Sequence, residues 1–541
     1  MYSRVNSNLL EDRLDAEFYS LEQIKNHKTL QDYGVIPLSA YCNGINVGYT
    51  GELTSVYRAQ GTTLFRVSDI DGIFLSNDDV NYVPDDFAAN NPQIWIRDND
   101  IVFAAVGNTI GKVALKTVSM PDGVCSRALM IARPLTDKID SSFLIAYLAT
   151  KYAQKSLLRG VSGSAQPVLN TPLIANLPVI SAESVSQKYI GDKVRQAEQL
   201  RVWAKRLYRI PAFIDAFIQG ALPLSLTDLL FSLIKKSNND AIKELTKFLA
   251  LNIEDAQMKQ NFQGFIEKNK MGSVDIEREF FHINTVSTSA IEDFLSAQTY
   301  RPAITDAFDK ITSKKFSTLQ SISLEPIRQG ATPKFSAIGK KCIKSKQTRD
   351  LFLDETGYEI VDPNDEQNKR IVRLKRNDIL VTRQGAGTVG RASIFLDDEE
   401  TYITDSLFLV RIDPAKANPA FVAGFLRSYT GQRLIEKGVY GSTGQLNLSS
   451  TALRNIPILD VPLEFQNFLG ETLCTADTLF KLSTRLTQSA KTLVEALIEG
   501  QLTEQQLIQA QQALEDGDNS LDQAILSKLS AEGYAIEGAT P

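Results

Sequence analysis

The chain has 541 residues, 43% hydrophobic and 23% charged, with a formal net charge of −6. That composition fits a soluble globular protein with room for several cores, and the slight acid excess neither advertises nor excludes nucleic acid, since local patches decide that. The apolar runs are too short to span a bilayer, the acidic opening MYSRVNSNLLEDRLDAEFYS lacks the apolar core of a secretion signal, and the four scattered cysteines predict a reduced, cytoplasmic protein without a C-x-x-C site. His27 and His282 are the only histidines and read as surface or packing residues, so a mechanism built on several imidazoles or a Ser-His-Asp triad has little material.

In chain order, the first half opens with a short helix over LEDRLDAEFYSLEQI. Strands such as DIVFAAV and ALMIARP follow, separated by glycine and Asn/Asp turns. A helix over SSFLIAYLATKYAQKSLL comes next, then a Gly/Ser turn and a Leu-Pro segment that lead into a long helix. In that helix Ile190, Val194, Ala197, Leu200, Ala204 and Leu207 step by three and four, the spacing of a coiled-coil seam, and Pro211 is expected to kink or end it.

The second half repeats this plan in the same order. Its opening helix lies over AITDAFDKITSKKF, its strands include DILVTRQ and SLFLVRI, and its short helix covers PAFVAGFLRSYTGQRLI. Asp378 follows Asp100 by 278 residues; Gly390 follows Gly111, Pro457 follows Pro178 and Gln466 follows Gln187, each by 279. The second long helix carries Leu469, Leu473, Ala476, Leu479, Leu482, Leu486, Leu493 and Leu497 at helical spacing. An internal duplication explains this order, and two similar stripes in one chain are expected to pack on each other antiparallel. The resulting division is a domain over 1–182, a long helix over 183–222, a helical insert or connector over 223–297, a second domain over 298–462, a second long helix over 463–515, and a tail over 516–541. The polar helical C-terminus is expected to be a packing appendage or a docking surface.

AAVGNTIGKVAL invites a phosphate-loop reading, but Gly107 and Gly111 enclose three residues where the P-loop needs four, and Val113 follows Lys112 where a hydroxyl is required. TRQGAGTVGRASI writes the same turn again with Arg391 in the place of Lys112. The spacing and the missing hydroxyl argue against a phosphoryl-transfer role for Lys112. NNPQIW lacks the second proline of an adenine methyltransferase clamp, and DDEE, Asp397 to Glu400, reads as a solvated turn.

The paired NDIVFAAVGNTIGKVAL and NDILVTRQGAGTVGRASI, the segments GSAQPVLN and GSTGQLNLS, and the helix openings LPVISAESVSQKYIGDKVRQAEQL and IPILDVPLEFQNFLGETLCTADTL together resemble the specificity (S) subunit of type I restriction-modification enzymes. IRQGATPKF resembles the opening of a target-recognition domain; the first half departs there, with CNGINVGYT. The resemblance implies an α+β fold: two similar target-recognition domains joined by long antiparallel coiled-coil helices with pseudo-two-fold symmetry, here with an extra helical insert. Each domain would read half of a bipartite site in double-stranded DNA, with the helices setting the gap. The helices would also dock two modification (M) methyltransferase subunits, and restriction (R) subunits would join the complex. S-adenosylmethionine, ATP and Mg²⁺ would sit on those partners, and this chain would catalyse nothing, bind no metal and meet no membrane. A subunit of a related bipartite methylation or phage-defence system, or a protein-binding scaffold without DNA, are the alternatives.

Phosphates are met by Lys, Arg and backbone amides, and bases by Arg, Lys, Asn and Gln. The candidates are the basic run Lys334, Lys340, Lys341, Lys344, Lys346 and Arg349; Arg383, Gln384 and Arg391 at the second glycine turn; and Asn108 and Lys112 at the first. Gly111 and Gly390 are expected to be structural. The first domain is poor in basic residues, and its SDIDGIFLSNDDVNYVPDDF is strongly acidic.

Overall fold

The computed structural model describes residues 18–77, 80–159, 161, 168–218, 285–288, 291, 297–354, 357–385, 387–441 and 446–534, without the side chains of residues 108, 216 and 217. Most of the insert expected over 223–297 lies outside the described residues, as do His282 and much of both Gly/Ser turns. The chain is α+β and divides into two compact units. The first comprises Met1–Val202 with Phe480–Pro541, the second Trp203–Leu479. Among the described residues no helix is long and apolar enough to cross a membrane.

In the first unit, Ile101–Ala104 is central to a six-stranded sheet, flanked by Leu129–Pro134 and Val113–Leu115. All four of its residues are buried. Side chains alternate along a strand. Ile101 and Phe103 therefore enter the main core with the helices, while Val102 and Ala104 enter a smaller core with Phe65, Ile96 and Cys125 from a second, four-stranded sheet. A strand covered on both faces reads as an unbroken apolar run rather than an alternating one. The second unit does the same: Ile379 and Val381 enter its main core, and Leu380 enters a smaller core with Ile343 and Ile403. Its small sheet runs Glu359–Val361, Phe335–Ile343, Thr401–Ile403, Val372–Arg373, matching Asn81–Val83, Thr62–Phe65, Gly123–Cys125, Trp95–Ile96 of the first unit in order and in its one parallel pairing.

The likeness extends to individual hydrogen bonds. Asn99 and Asn377 both adopt positive φ, +68° and +72°, which Asn tolerates better than most residues. The next residue, Asp100 or Asp378, accepts the backbone N–H three positions earlier, at 2.8 and 2.7 Å. It also receives a two-pronged bond from an arginine on the neighbouring strand or directly after it. Arg133 reaches Asp100 at 2.9 and 2.8 Å, and Arg411 reaches Asp378 at 2.7 Å through both nitrogens. The Gln154 amide donates to Gly111 O and Leu148 O, as Gln432 does to Gly390 O and Leu426 O.

Several helices differ from their sequence-based limits. The opening helix of the first half is Leu21–Tyr33 among the described residues, starting at Ser20, whose hydroxyl accepts the Gln23 N–H; residues 10–17 of the expected helix lie outside the described residues. The single helices expected over 141–158 and 419–435 are each two: Ser141–Leu148 with Lys151–Arg159, and Pro419–Arg427 with Tyr429–Lys437. Each break carries a hydroxyl, Thr150 or Ser428, that caps the second helix. The first long helix is Ser184–Leu207, and a second piece, Ile210–Ile218, restarts one residue before Pro211, where proline is tolerated at a helix start. The second long helix is Leu463–Ile498, 36 residues or roughly 54 Å, and stops short of 515 because Gly500 takes φ +71°. The rest folds as Glu504–Glu515 and Ser520–Ala531 and buries Leu507, Ala510 and Leu529 in the first unit's core. The C-terminal segment is thus a packing element.

The apolar stripes do not act as one strip. Ile190, Val194 and Ala197 share a core with Ala490, Leu493 and Leu497, flanked by Leu486, in the first unit. Leu207 shares the other core with Leu469, Leu473 and Ala476, flanked by Leu479, in the second. Leu200 is half-buried and Leu482 is exposed. The residue turned inward beside Leu482 is Ser483, whose hydroxyl donates to Ala197 O at 2.7 Å. Ser186, near the start of the first long helix, bonds Glu504 O in the helix that follows the second long one, while Ala197 O accepts from Ser483.

Each unit is closed by a helix from the other half of the sequence. Glu495 accepts the Lys151 N–H at 2.8 Å in the first unit, at the start of Lys151–Arg159. Asp215 accepts the Thr430 N–H at 2.8 Å, and that of Tyr429, at the start of Tyr429–Lys437 in the second. A carboxylate at a helix start satisfies otherwise orphaned donors and meets the positive end of the helix dipole.

Candidate nucleic-acid interface

The repeated glycine turn links two antiparallel strands in each unit. The Gly111 N–H donates to Ala104 O at 3.1 Å, that of Lys112 to Thr109 O and that of Ile110 to Gly107 O. The Gly390 N–H donates to Thr382 O at 2.8 Å, and that of Arg391 to Thr388 O. These amides are spent inside the turn, whereas a phosphate loop aims them at its ligand. Gly111 and Gly390 take φ +89° and +80°. A Cβ on Gly390 would lie 2.5 Å from Ile435 Cγ2, whereas one on Gly111 would lie 3.2 Å from the flexible end of Leu158. Gly111→Ala is expected to cost about 1 kcal/mol from backbone strain and Gly390→Ala about 2 kcal/mol or more, because Ile435 must also move. Urea unfolding midpoints of the two variants check the order.

In the second unit most of the basic run has carboxylate partners. Lys341 pairs with Glu399 at 2.6 Å, Lys340 with Glu400 at 3.8 Å and Lys344 with Glu359 at 2.8 Å. The Lys344 hydrogen bond holds the Glu359 carboxyl below its usual pKa. DDEE is therefore not merely solvated: Asp398 pairs with Arg376, and Glu400 also with Arg373. Lys334 and Lys346 are exposed. Exposed pairs are worth roughly 0–1 kcal/mol, so lysine can trade a carboxylate for a phosphate at small cost. Replacing Lys340, Lys341 and Lys344 together with Ala is expected to weaken specific and non-specific DNA alike and to lower the log–log salt slope by up to about one unit for each phosphate no longer neutralised. An unchanged slope in filter-binding titrations assigns them to internal ion pairing alone.

Arg349, Arg391 and Arg427 gather around Asp350. Arg427 donates to Arg349 O at 2.8 Å and pairs with Asp350 at 3.5 Å; Asp350 also accepts from the Tyr208 hydroxyl. Arg391 is tied to Gly387 O at 2.8 Å. Its pKa is lowered, first by burial and then by the charges of Arg427 and Arg349. Like charges held together are relieved by an anion. Arg349 and Arg391 were legible as candidates; Arg427, inside an apolar helix, carried no signal. Arg383 is turned onto Asp405 O at 2.9 Å and onto the Gln384 side chain at 2.6 Å, so those two candidates engage each other.

In the first unit Lys112 is exposed, and the Asn108 side chain lies outside the described residues. Much of the acidic stretch has structural duty. Asp69 is buried against Arg66, Asp71 pairs with Arg201 at 3.2 Å, and Asp85 accepts from the Thr62 hydroxyl at 2.6 Å. Burial pushes the Cys42 and Cys342 thiols up to about 12, which keeps both protonated near neutrality. Among the described residues no group of three His, Cys, Asp or Glu side chains could hold a metal ion.

One feature of each unit escaped the sequence reading. Tyr57-Arg58-Ala59-Gln60-Gly61 and Phe335-Ser336-Ala337-Ile338-Gly339 lie 278 residues apart and share the pattern aromatic-x-Ala-x-Gly. In the second unit Phe335 and Lys340 both stand opposite Val361, so the four residues between them bulge from the strand. In the first, Thr62 stands opposite Val83, and Arg58 bridges to Tyr82. Gly61 and Gly339 take φ +136° and +146°, and an added Cβ would lie 2.3 Å from Val83 O or 1.9 Å from Val361 O. Only glycine permits either knuckle.

No protein-family model matches the chain. Over 127 residues it is 27% identical to the type I restriction enzyme MjaVIII specificity subunit of Methanocaldococcus jannaschii, a match spanning 22% of this chain and 29% of that protein. Among solved structures it is similar to the S subunit of a type I restriction-modification system from M. genitalium, at 13% identity and a TM-score of 0.36, with 86% of this chain and 94% of that chain covered. It is also similar to the HsdS subunit of Thermoanaerobacter tengcongensis, at 13% identity and a TM-score of 0.27, with 87% and 97% covered. The resemblance read from the sequence and the names of these relatives agree on one family, the type I specificity subunits.

Proposed function

We propose that this chain is the DNA-specificity subunit of a type I restriction-modification system. The observation that carries the reading is the recurrence of one recognition architecture in both units, down to the Asp–Arg pair, the glycine turn, the glutamine bridge and the knuckle. An internal duplication accounts for it, and two similar reading heads suit a site in double-stranded DNA with two separated halves. The partial identity to a named specificity subunit points the same way.

On this reading each unit reads one half-site, and the long helices set the gap and dock two modification subunits. Restriction subunits join that complex. S-adenosylmethionine, ATP and Mg²⁺ act on those partners, and this chain supplies sequence choice rather than chemistry. Phosphate contacts position the complex and base contacts specify it. The test is methylome sequencing of cells carrying the complete system with and without this chain. Methylated adenine at a single two-part motif, lost when the chain is removed, is the expected result. Methylation unaffected by its removal, together with no salt-dependent DNA binding by the assembled complex, sinks the proposal.

A further inference from the structure

We infer that the two knuckles are base-reading tips, with Gln60 and Ile338 as the specificity-determining side chains of the two half-sites. This rests on the proposed function and names the residues that carry it out. The glycines and the opposing valines recur 278 residues apart, as do the aromatic residue and the alanine; two side chains change, and of these Arg58 and Ser336 are each bonded back within their own turn, which leaves the one just before the glycine. It is Gln60 in one unit and Ile338 in the other. A fixed scaffold presenting a changed tip is what two readers of different sequences require.

Both tips face solvent. Ile338 is 80% exposed, unusual for an isoleucine, and no fold requirement accounts for it. The bulge beneath it is self-supporting: the Ser336 hydroxyl donates to Ile338 O at 2.5 Å and accepts the Ile338 N–H at 3.3 Å. Lys334 and Lys340 flank the bulge in sequence and Lys344 lies over the Phe335 ring at 4.7 Å, so the apolar tip sits among groups that suit a phosphate backbone and oppose burial in a protein core. In the first unit the Arg58 guanidinium is folded back onto Ser55 O and Tyr57 O. Gln60 is left exposed and without a hydrogen bond among the described residues. In the major groove a glutamine amide matches N6 and N7 of adenine, and an aliphatic side chain matches the thymine methyl. The chemistry therefore assigns an adenine to the base met by Gln60 and a thymine to that met by Ile338.

The test is selection from a randomised duplex library by the full chain assembled with its modification subunits, as wild type, Gln60→Ile and Ile338→Gln. Each substitution is expected to change preference at one or two positions of a single half-site, on the order of tenfold to a hundredfold, with the other half-site kept. Non-specific affinity and its salt slope should not move, because no charge changes, and thermal unfolding should match wild type because both side chains are exposed. A wild type that selects a bipartite site which both variants leave intact overturns the knuckles alone. A wild type that selects no sequence overturns the functional reading and this assignment with it.

Discussion

Replacing Asp378 with Ala is expected to cost the second unit about 3–5 kcal/mol, the usual penalty for breaking a buried ion pair from one side. Asp378 is 1% exposed, and its carboxylate accepts three bonds, two from Arg411 and one from the Lys375 N–H. Removing it strands a guanidinium whose pKa is raised chiefly by that hydrogen bond, and releases the turn that holds Asn377 at positive φ. Arg411 keeps Glu325 at 2.8 Å as a second, more exposed partner, which softens the loss but does not replace a two-pronged bond. Arg411→Met is expected to cost a similar amount, and the double variant less than the sum, because the partners no longer strand each other. Hydrogen exchange at Leu380 and Leu409, on the strands the pair joins, localises the effect in a chain of two units. Protection unchanged at both strands in Asp378→Ala would show that the pair contributes nothing. Asp100→Ala should behave likewise in the first unit, where Arg133 also bonds Trp95 O at 2.9 Å and has no second carboxylate partner among the described residues.

These pairs show how much of the fold the sequence disclosed. Asp100 and Asp378 stood out as repeated letters, and the strands that follow them lie where apolar runs placed them. Their arginine partners, roughly thirty residues away, could not be found by local pattern, because the bond depends on which strands become neighbours. Periodicity found both long helices but could not say what they pack against. Leu482 has the right spacing and is exposed, while Ser483 is buried. The stripe also changes core along its length, which a count of three and four does not reveal. Gly500 and the hydroxyls of Thr150 and Ser428 were visible as letters, yet a helix pattern continues through them unless the cap is weighed. For the site, the basic run was legible as charge, but its pairing with DDEE required the return of a distant turn. The knuckles were the nearest miss: Tyr57 to Gly61 and Phe335 to Gly339 lie on the same diagonal as the other repeats, with only the aromatic residue, alanine and glycine in common.

The contrast between closely paired lysines and gathered arginines sets an expected order among the basic residues in DNA binding. Replacing Arg349 and Arg391 together with Ala is expected to lower the log–log salt slope by about two units, the full ~0.9 per phosphate neutralised, whereas the ion-paired lysines are expected to fall short of that value per residue. The lysines exchange one anionic partner for another and gain little net charge relief. The arginines are pressed together, with Asp350 as the carboxylate bonded to Arg427; Arg349 has Asp354 only at 3.9 Å, and its side chain is 71% exposed and able to meet a backbone. Arg427 itself is no useful probe, because its bond to Arg349 O ties the chain, and its loss would report on folding. Asp350→Asn supplies the opposite arm: with one negative charge removed the cluster should hold phosphate more tightly, and affinity at physiological salt should rise. Fluorescence anisotropy of the assembled complex across roughly 50–200 mM salt reads both variants. If the arginine variant leaves the slope intact while Asp350→Asn also changes nothing, the cluster serves the fold rather than DNA, and phosphate contacts must be sought among Lys112, Lys334 and Lys346, the exposed candidates outside the lysine triple.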